Sequence, residues 1–204
     1  MTEQSSMHSY LNWSKQRIDE MDAILASLEG KAGEVQADSK VKANQLIADL
    51  KKQRDEFQAN VKKQAKATEV AWESNRAQLD SQWKAFETQV RTYIDTVAKQ
   101  VPQQQALFRD VAAAQVKAWR DAAKTIQDVA TKFAAGRRAD VDAAVIKMKA
   151  DAAEAEARLQ KLNQTGNESW AALSAALAES RKAFDCANKA AWDAVKRAAP
   201  PSAA

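Results

Sequence analysis

The chain is predicted to be all-α: a long antiparallel helical hairpin or elongated coiled-coil bundle, with eleven-residue (hendecad) periodicity and two similar halves. Three observations carry that expectation. Four Gly and three Pro in 204 residues leave few breakers, and the abundant Ala, Lys, Glu, Gln and Leu are good helix formers. Large apolar side chains recur at every eleventh position through the first half, and a shift of 98 lays one half on the other.

Residues 1–9, "MTEQSSMHS", are polar and read as a flexible N-terminus. They lack the basic start and apolar run of a signal peptide. No later window approaches the roughly 18 uncharged apolar residues of a membrane span, so the expected compartment is cytoplasmic. A single cysteine, Cys186, allows no intrachain disulfide and lends an oxidising compartment no support.

The first helical half is placed at 10–101. From Trp13 the eleven-residue column reads Trp13, Ile24, Val35, Leu46, Phe57, Thr68, Leu79, Val90 and Val101. Four residues further on runs a second column, Arg17, Leu28, Ser39, Leu50, Val61, Trp72, Trp83 and Ile94. Eleven residues close three helical turns at about 3.67 residues each, so such a stripe stays straight along a helix. Trp72 and Trp83 therefore fill successive layers of one seam. Polar residues such as Glu20, Lys31 and Lys42 rim it on one side, and Ala32, Ala43 and Arg54 on the other. A seam this narrow suits partner helices, whereas a helix lying on lipid needs a broad apolar face. The exception is residues 83–97, where Trp83, Phe86, Val90, Tyr93, Ile94 and Val97 make a broader face and a candidate surface-binding site. Gly30 and Gly33 invite an interruption near 30–33, and the helix is expected to continue through Thr68.

Pro102 has no backbone donor for a continuing helix, so a turn is expected at 102–106, with a fold-back that sets the second half, 107–198, against the first. Softer breaks are expected at Gly136 and in "NQTGNESW" at 163–170, where Asn167 or Ser169 could cap the next helix. Between them, positions 141, 145, 148, 152, 155, 159 and 162 follow heptad spacing. The shift of 98 lays Trp72 on Trp170, Leu79 on Leu177, Ile47 on Val145, Leu50 on Met148 and Val61 on Leu159. A flexible tail is expected at 199–204. Seam packing is assigned to Trp13, Leu46, Leu50, Phe57, Val61, Trp72, Leu79, Trp83, Trp170, Leu173, Phe184 and Trp192.

Little in the sequence points to chemistry. His8 is the sole histidine, which leaves no histidine pair for a metal and no Ser-His-Asp set. "EGKAGE" at 29–34 has neither the glycines nor the preceding strand of a phosphate loop. Adjacent carboxylates such as Asp19-Glu20 and Asp55-Glu56 point in different directions on a helix and sit among surface bases. Cys186, in an Ala-rich helix between Phe184 and Trp192, reads as core filling. Lysine and arginine total 31 against 27 acids. The bases come as short pairs such as Lys51-Lys52 and Lys62-Lys63 on a mixed surface, which does not make a nucleic-acid face. The expectation is a non-enzyme with no catalytic residue, no cofactor and no metal.

"LNWSKQRIDEMDAILASLEGKAGEVQADSKVKANQLIADLKKQRDEFQANVKKQ" and "AWESNRAQLDSQWKAF" resemble a family of small bacterial all-helical coiled-coil stress-response proteins. The resemblance spans about residues 10–97 and, more loosely, 119–197. The eleven-residue repeats are also similar to apolipoprotein-type and late-embryogenesis-type helices, and less closely to phasins. The resemblance implies a stress-linked, non-enzymatic role with no active-site residues to carry over. The leading expectation is a cytoplasmic structural or interaction protein that forms a homo-oligomer or takes partner helices. The second is an amphipathic coat on a membrane or granule surface, using the 83–97 face.

Overall fold

The computed structural model describes residues 3–64, 69–165 and 170–199, with the side chains of 3–10, 69–76, 162–165, 170, 171 and 173 outside that description. The protein is all-α. The described residues form six helices: α1 (Glu3–Ala32), α2 (Ala37–Gln64), α3 (Glu69–Val97), α4 (Val101–Ala130), α5 (Ala135–Thr165) and α6 (Trp170–Ala198).

Each helix is about 30 residues, or roughly 45 Å of axial length, and neighbours in sequence run antiparallel. Between α1 and α2, Lys51 pairs with Glu29 and Arg54 with Asp22, so residue numbers rise along one helix as they fall along the other. α2 and α3 pair through Asn60 with Gln82, and Asp38 near the start of α2 meets Lys99 just beyond the end of α3. α5 and α6 do so through Arg158 with Glu179 and Asp140 with Arg197.

These contacts replace the long-rod form of the hairpin with shorter helices. Asn60 Nδ2 donates to Gln82 Oε1 at 3.2 Å, whereas one continuous helix would hold those residues about 33 Å apart. The chain therefore reverses between α2 and α3, although Thr68 itself lies outside the described residues. A second correction concerns Pro102. Residues 102–106 are helical, and the break falls at 98–100. Proline in a helix's first turn costs nothing, because the donor it lacks would have had no intrahelical acceptor there.

The chain breaks at 33–36 and again at 131–134 with the same backbone hydrogen bonds. Glu34 N to Lys31 O, Val35 N to Ala32 O and Ser39 N to Gln36 O recur 98 positions later as Lys132 to Val129, Phe133 to Ala130 and Arg137 to Ala134. Val35 and Phe133 are half-buried in turns whose adjacent residues are exposed, so an apolar plug pins each turn. Glycine is not what sets the break: a Cβ on Gly33 would meet nothing within 4 Å, and the second turn contains none. For the same reason the break expected at Gly136 lies ahead of it, with Gly136 inside α5. The proposed caps Asn167 and Ser169 lie outside the described residues.

The chain folds as two compact units, each with its own core. The first is Ser14–Gln115, and the second combines Gln4–Trp13 with the chain from Val116. Both boundaries fall within helices, so α1 and α4 each contribute to both units. The first core packs Met21, Ile24 and Leu28 of α1, Leu46, Leu50 and Phe57 of α2, and Leu79, Phe86 and Ile94 of α3. The second packs Trp119 and Ile126 of α4 and Leu177 and Phe184 of α6, together with α5, whose heptad positions Val141, Val145, Met148, Ala152, Ala155 and Leu159 are all buried.

Candidate functional site

Arg17 and Glu20 are one helical turn apart on α1, a spacing that puts both on one face, and that face points inward. Arg17 is 1% exposed and Glu20 0%. Arg17 Nη1 lies 2.5 Å from Glu20 Oε1. Gln16 Nε2 donates to the same oxygen at 3.5 Å, and from α4 Gln115 Nε2 donates to Glu20 Oε2 at 3.4 Å. On the remaining side, the Trp83 ring of α3 lies 5.1 Å from Arg17 Cζ, close enough for its negative face to attract the cation. Trp83 stacks in turn on Phe86, with centroids 6.0 Å apart.

One buried carboxylate thus gathers donors from two helices, while a third helix covers the guanidinium. Removing two charges from water costs several kcal/mol per ion, and their attraction offsets this only where hydrogen bonds satisfy both partners. Ser14 Oγ, one turn before Arg17, and Gln115 Oε1 are buried without a hydrogen-bond partner. The Tyr93 hydroxyl is likewise unpartnered, and burial pushes its phenol up from its ordinary value. The arrangement ties α1, α3 and α4 together. It holds no nucleophile with a base beside it.

A cleft between α5 and α6 is lined by Asp151, Glu154, Arg158, Glu179, Ser180 and Ala183. Its charges are all paired: Arg158 reaches Glu154 at 2.6 Å and Glu179 at 3.7 Å, and Asp151 takes Lys147, from outside the lining, at 3.0 Å. Among the described residues, no group of three or more His, Cys, Asp or Glu could hold a metal ion.

Of the seam residues expected from the sequence, Leu46, Leu50, Phe57, Leu79, Trp83 and Phe184 are buried, and Trp13, Val61 and Trp192 half-buried. The side chains of Trp72, Trp170 and Leu173 lie outside the description. The broad 83–97 face faces inward: Trp83, Phe86, Val90, Tyr93 and Ile94 are buried and Val97 half-buried. In the folded chain this apolar set is packed in the first unit's core. Cys186 corrects another expectation, being exposed. Two residues beyond buried Phe184 is about 200° around the helix, which turns it to the outer side.

The charged core cluster went unread. Arg17 stood as an exception inside an apolar column and Glu20 in the rim beside it; their i, i+3 spacing at a seam position was the available signal.

The fold defines an all-α protein of antiparallel helices, with a polar cluster tying three of them in its first unit. Compared with known proteins, the chain matches no family model, no curated protein and no solved structure. No helix among the described residues is long and apolar enough to cross a membrane.

Proposed function

We propose that the chain is a non-enzymatic helical interaction protein of the cytoplasm, linked to stress, that acts by self-association or by shielding other macromolecules. One observation carries the reading: the 83–97 residues, a broad apolar set in the sequence, are packed inside the first unit. A protein whose apolar surface is spent in this way meets partners through its polar exterior. Exterior ion pairs such as Lys117 with Asp121 and Arg138 with Asp142 alternate sign along the helices. Such surfaces select partner helices by charge register rather than by oiliness.

On the same reading the two halves are copies of one unit of about 98 residues, and the eleven-residue columns outlast the turns because a helix with its turn spans close to three such periods. Partner helices would be helices of further copies or of other coiled-coil proteins.

Sedimentation velocity over a range of chain concentrations tests the reading, paired with co-sedimentation on anionic liposomes and polyester granules. A reversible shift to larger species with no liposome or granule binding is expected. Tight binding to either surface by a chain that stays monomeric would replace this function with that of an amphipathic coat.

A further inference from the structure

Glu20 is shared by two residues that the internal repeat makes equivalent. Arg17 and Gln115 stand 98 positions apart, the interval at which the turn hydrogen bonds recur and at which the Lys51–Glu29 contact reappears as Lys149 with Gln127. Both reach this one carboxylate, Arg17 at 2.5 Å and Gln115 at 3.4 Å. The position equivalent to Glu20 itself holds buried Ala118. Helix α1 therefore brings an acid and a base where α4 brings an alanine and an amide.

We propose that this asymmetry is a pairing device, which makes α1 select α4 over the α1 of a second copy of the chain. In the first unit α1 and α4 run antiparallel, with Lys31 opposite Asp110 and Glu20 opposite Gln115. Two copies of α1 in that register would bring two guanidiniums and two carboxylates to one buried place, doubling the charge withdrawn from water. Two copies of α4 would set amides and alanines there, losing the charge-assisted hydrogen bonds and leaving unfilled the volume that Arg17 and Glu20 occupy. The unlike pair alone gives every charge a partner at the lowest desolvation. Trp83 reinforces the choice: it presents its ring to the Arg17 cation, and its counterpart in the second half is Arg181, which has no ring to present. Specificity of this kind is a difference between two affinities, built partly from the penalty on the wrong pair. The high effective concentration of α4 in the same chain then keeps the pairing internal. The device is independent of the proposed self-association, which uses the outer surfaces.

The test replaces Lys31 and Asp110, whose side chains meet at 3.7 Å, by cysteine in a Cys186→Ser background and refolds the chain from denaturant with a short bismaleimide crosslinker. With Arg17 and Glu20 intact, the K31C/D110C link should form in high yield within single chains. Adding R17Q/E20A, which gives α1 the residues of α4, should lower that yield at least about threefold as like helices pair. Circular dichroism checks that the variant is folded. Should it unfold, R17M/E20M supplies apolar side chains of similar length, a replacement that buried ion pairs commonly tolerate, and the same fall is expected. A folded variant that keeps the parent's crosslink yield would overturn the proposal. Because the crosslink reads helix pairing and sedimentation reads self-association, either can fail without the other.

Discussion

Lys51 and Lys149 make the same cross-helix contact in the two halves, yet the interiors beside them are filled differently. The first unit buries Phe57, Trp83, Phe86 and Tyr93, with Arg17 and Glu20 among them. The second relies on alanine: Ala152 and Ala155 of α5 are buried, as are Ala187, Ala191, Ala194 and Ala198 of α6. Small residues let helix axes approach closely, toward the lower end of the roughly 8–10 Å range. The second unit also holds an aromatic stack, Trp119 on Phe184, with centroids 5.1 Å apart and planes 14° from parallel. One helical plan thus accepts large side chains around a buried charge, or small ones around an aromatic stack. Turns and antiparallel order come from the shared plan; the identity of each pairing comes from what differs.

The comparison breaks most sharply where each unit keeps its heaviest dependence. Trp119→Ala should cost about 3–5 kcal/mol, the usual loss for a buried aromatic, seen as a lower chemical-denaturation midpoint. Glu20→Ala should cost a similar 3–5 kcal/mol or so because it strands the buried Arg17 charge. R17M/E20M should recover most of that loss in the same measurement. If Glu20→Ala were neutral, the first unit's polar core would have no energetic role.

Next in size is a change that gives the second unit the first unit's bulk. Ala155 is the repeat counterpart of Phe57, and both are buried. Ala155→Phe should cost about 1–3 kcal/mol, as overpacking of a close helix pair does, with Phe57→Ala destabilising in the opposite sense, by leaving a cavity. An Ala155→Phe chain as stable as its parent would mean that α5 and α6 are not closely packed.

The smallest effects lie outside. Lys99 donates to Asp38 at 2.5 Å, and that hydrogen bond, followed by the lysine's charge, holds the Asp38 carboxyl below its ordinary 3.8. A depressed folded value stabilises above the unfolded value and loses that contribution as pH falls through the folded one. Asp38→Asn should therefore lower the melting temperature slightly at neutral pH, with the two curves converging in acid below pH 3.8. A gap that widened on acidification would reverse the assigned sign.

How much of this was legible follows from which residues stood out by pattern. The helical class rested on scarce breakers, and the heptad at 141–159 marks buried positions because helix periodicity and burial share one geometry. The repeat was visible in pairs such as Leu50 with Met148. Reversals were harder to read, since the plugs Val35 and Phe133 look like ordinary column residues and a turn needs no glycine here. That the 83–97 face turns inward was not legible, because a sequence cannot show which neighbours will cover it. The Arg17–Glu20 pair was missed because charge normally marks the outside, and partners on other helices, Gln115 and Trp83, help make burial tolerable. Cys186 was misplaced through judging it by its apolar neighbours in sequence rather than by its angle around α6.

The central claim, that the broad apolar face is interior to the free protein, is tested most directly by the denaturation midpoint of Phe86→Ala beside that of Gln78→Ala. Phe86 is buried and Gln78 exposed on the same helix, α3. With no lipid or granule present, Phe86→Ala should lose about 3–5 kcal/mol and Gln78→Ala less than about 0.5 kcal/mol. Equal midpoints for the two variants would mean that Phe86 supports nothing in the free chain, and the account of a self-contained helical core would be wrong.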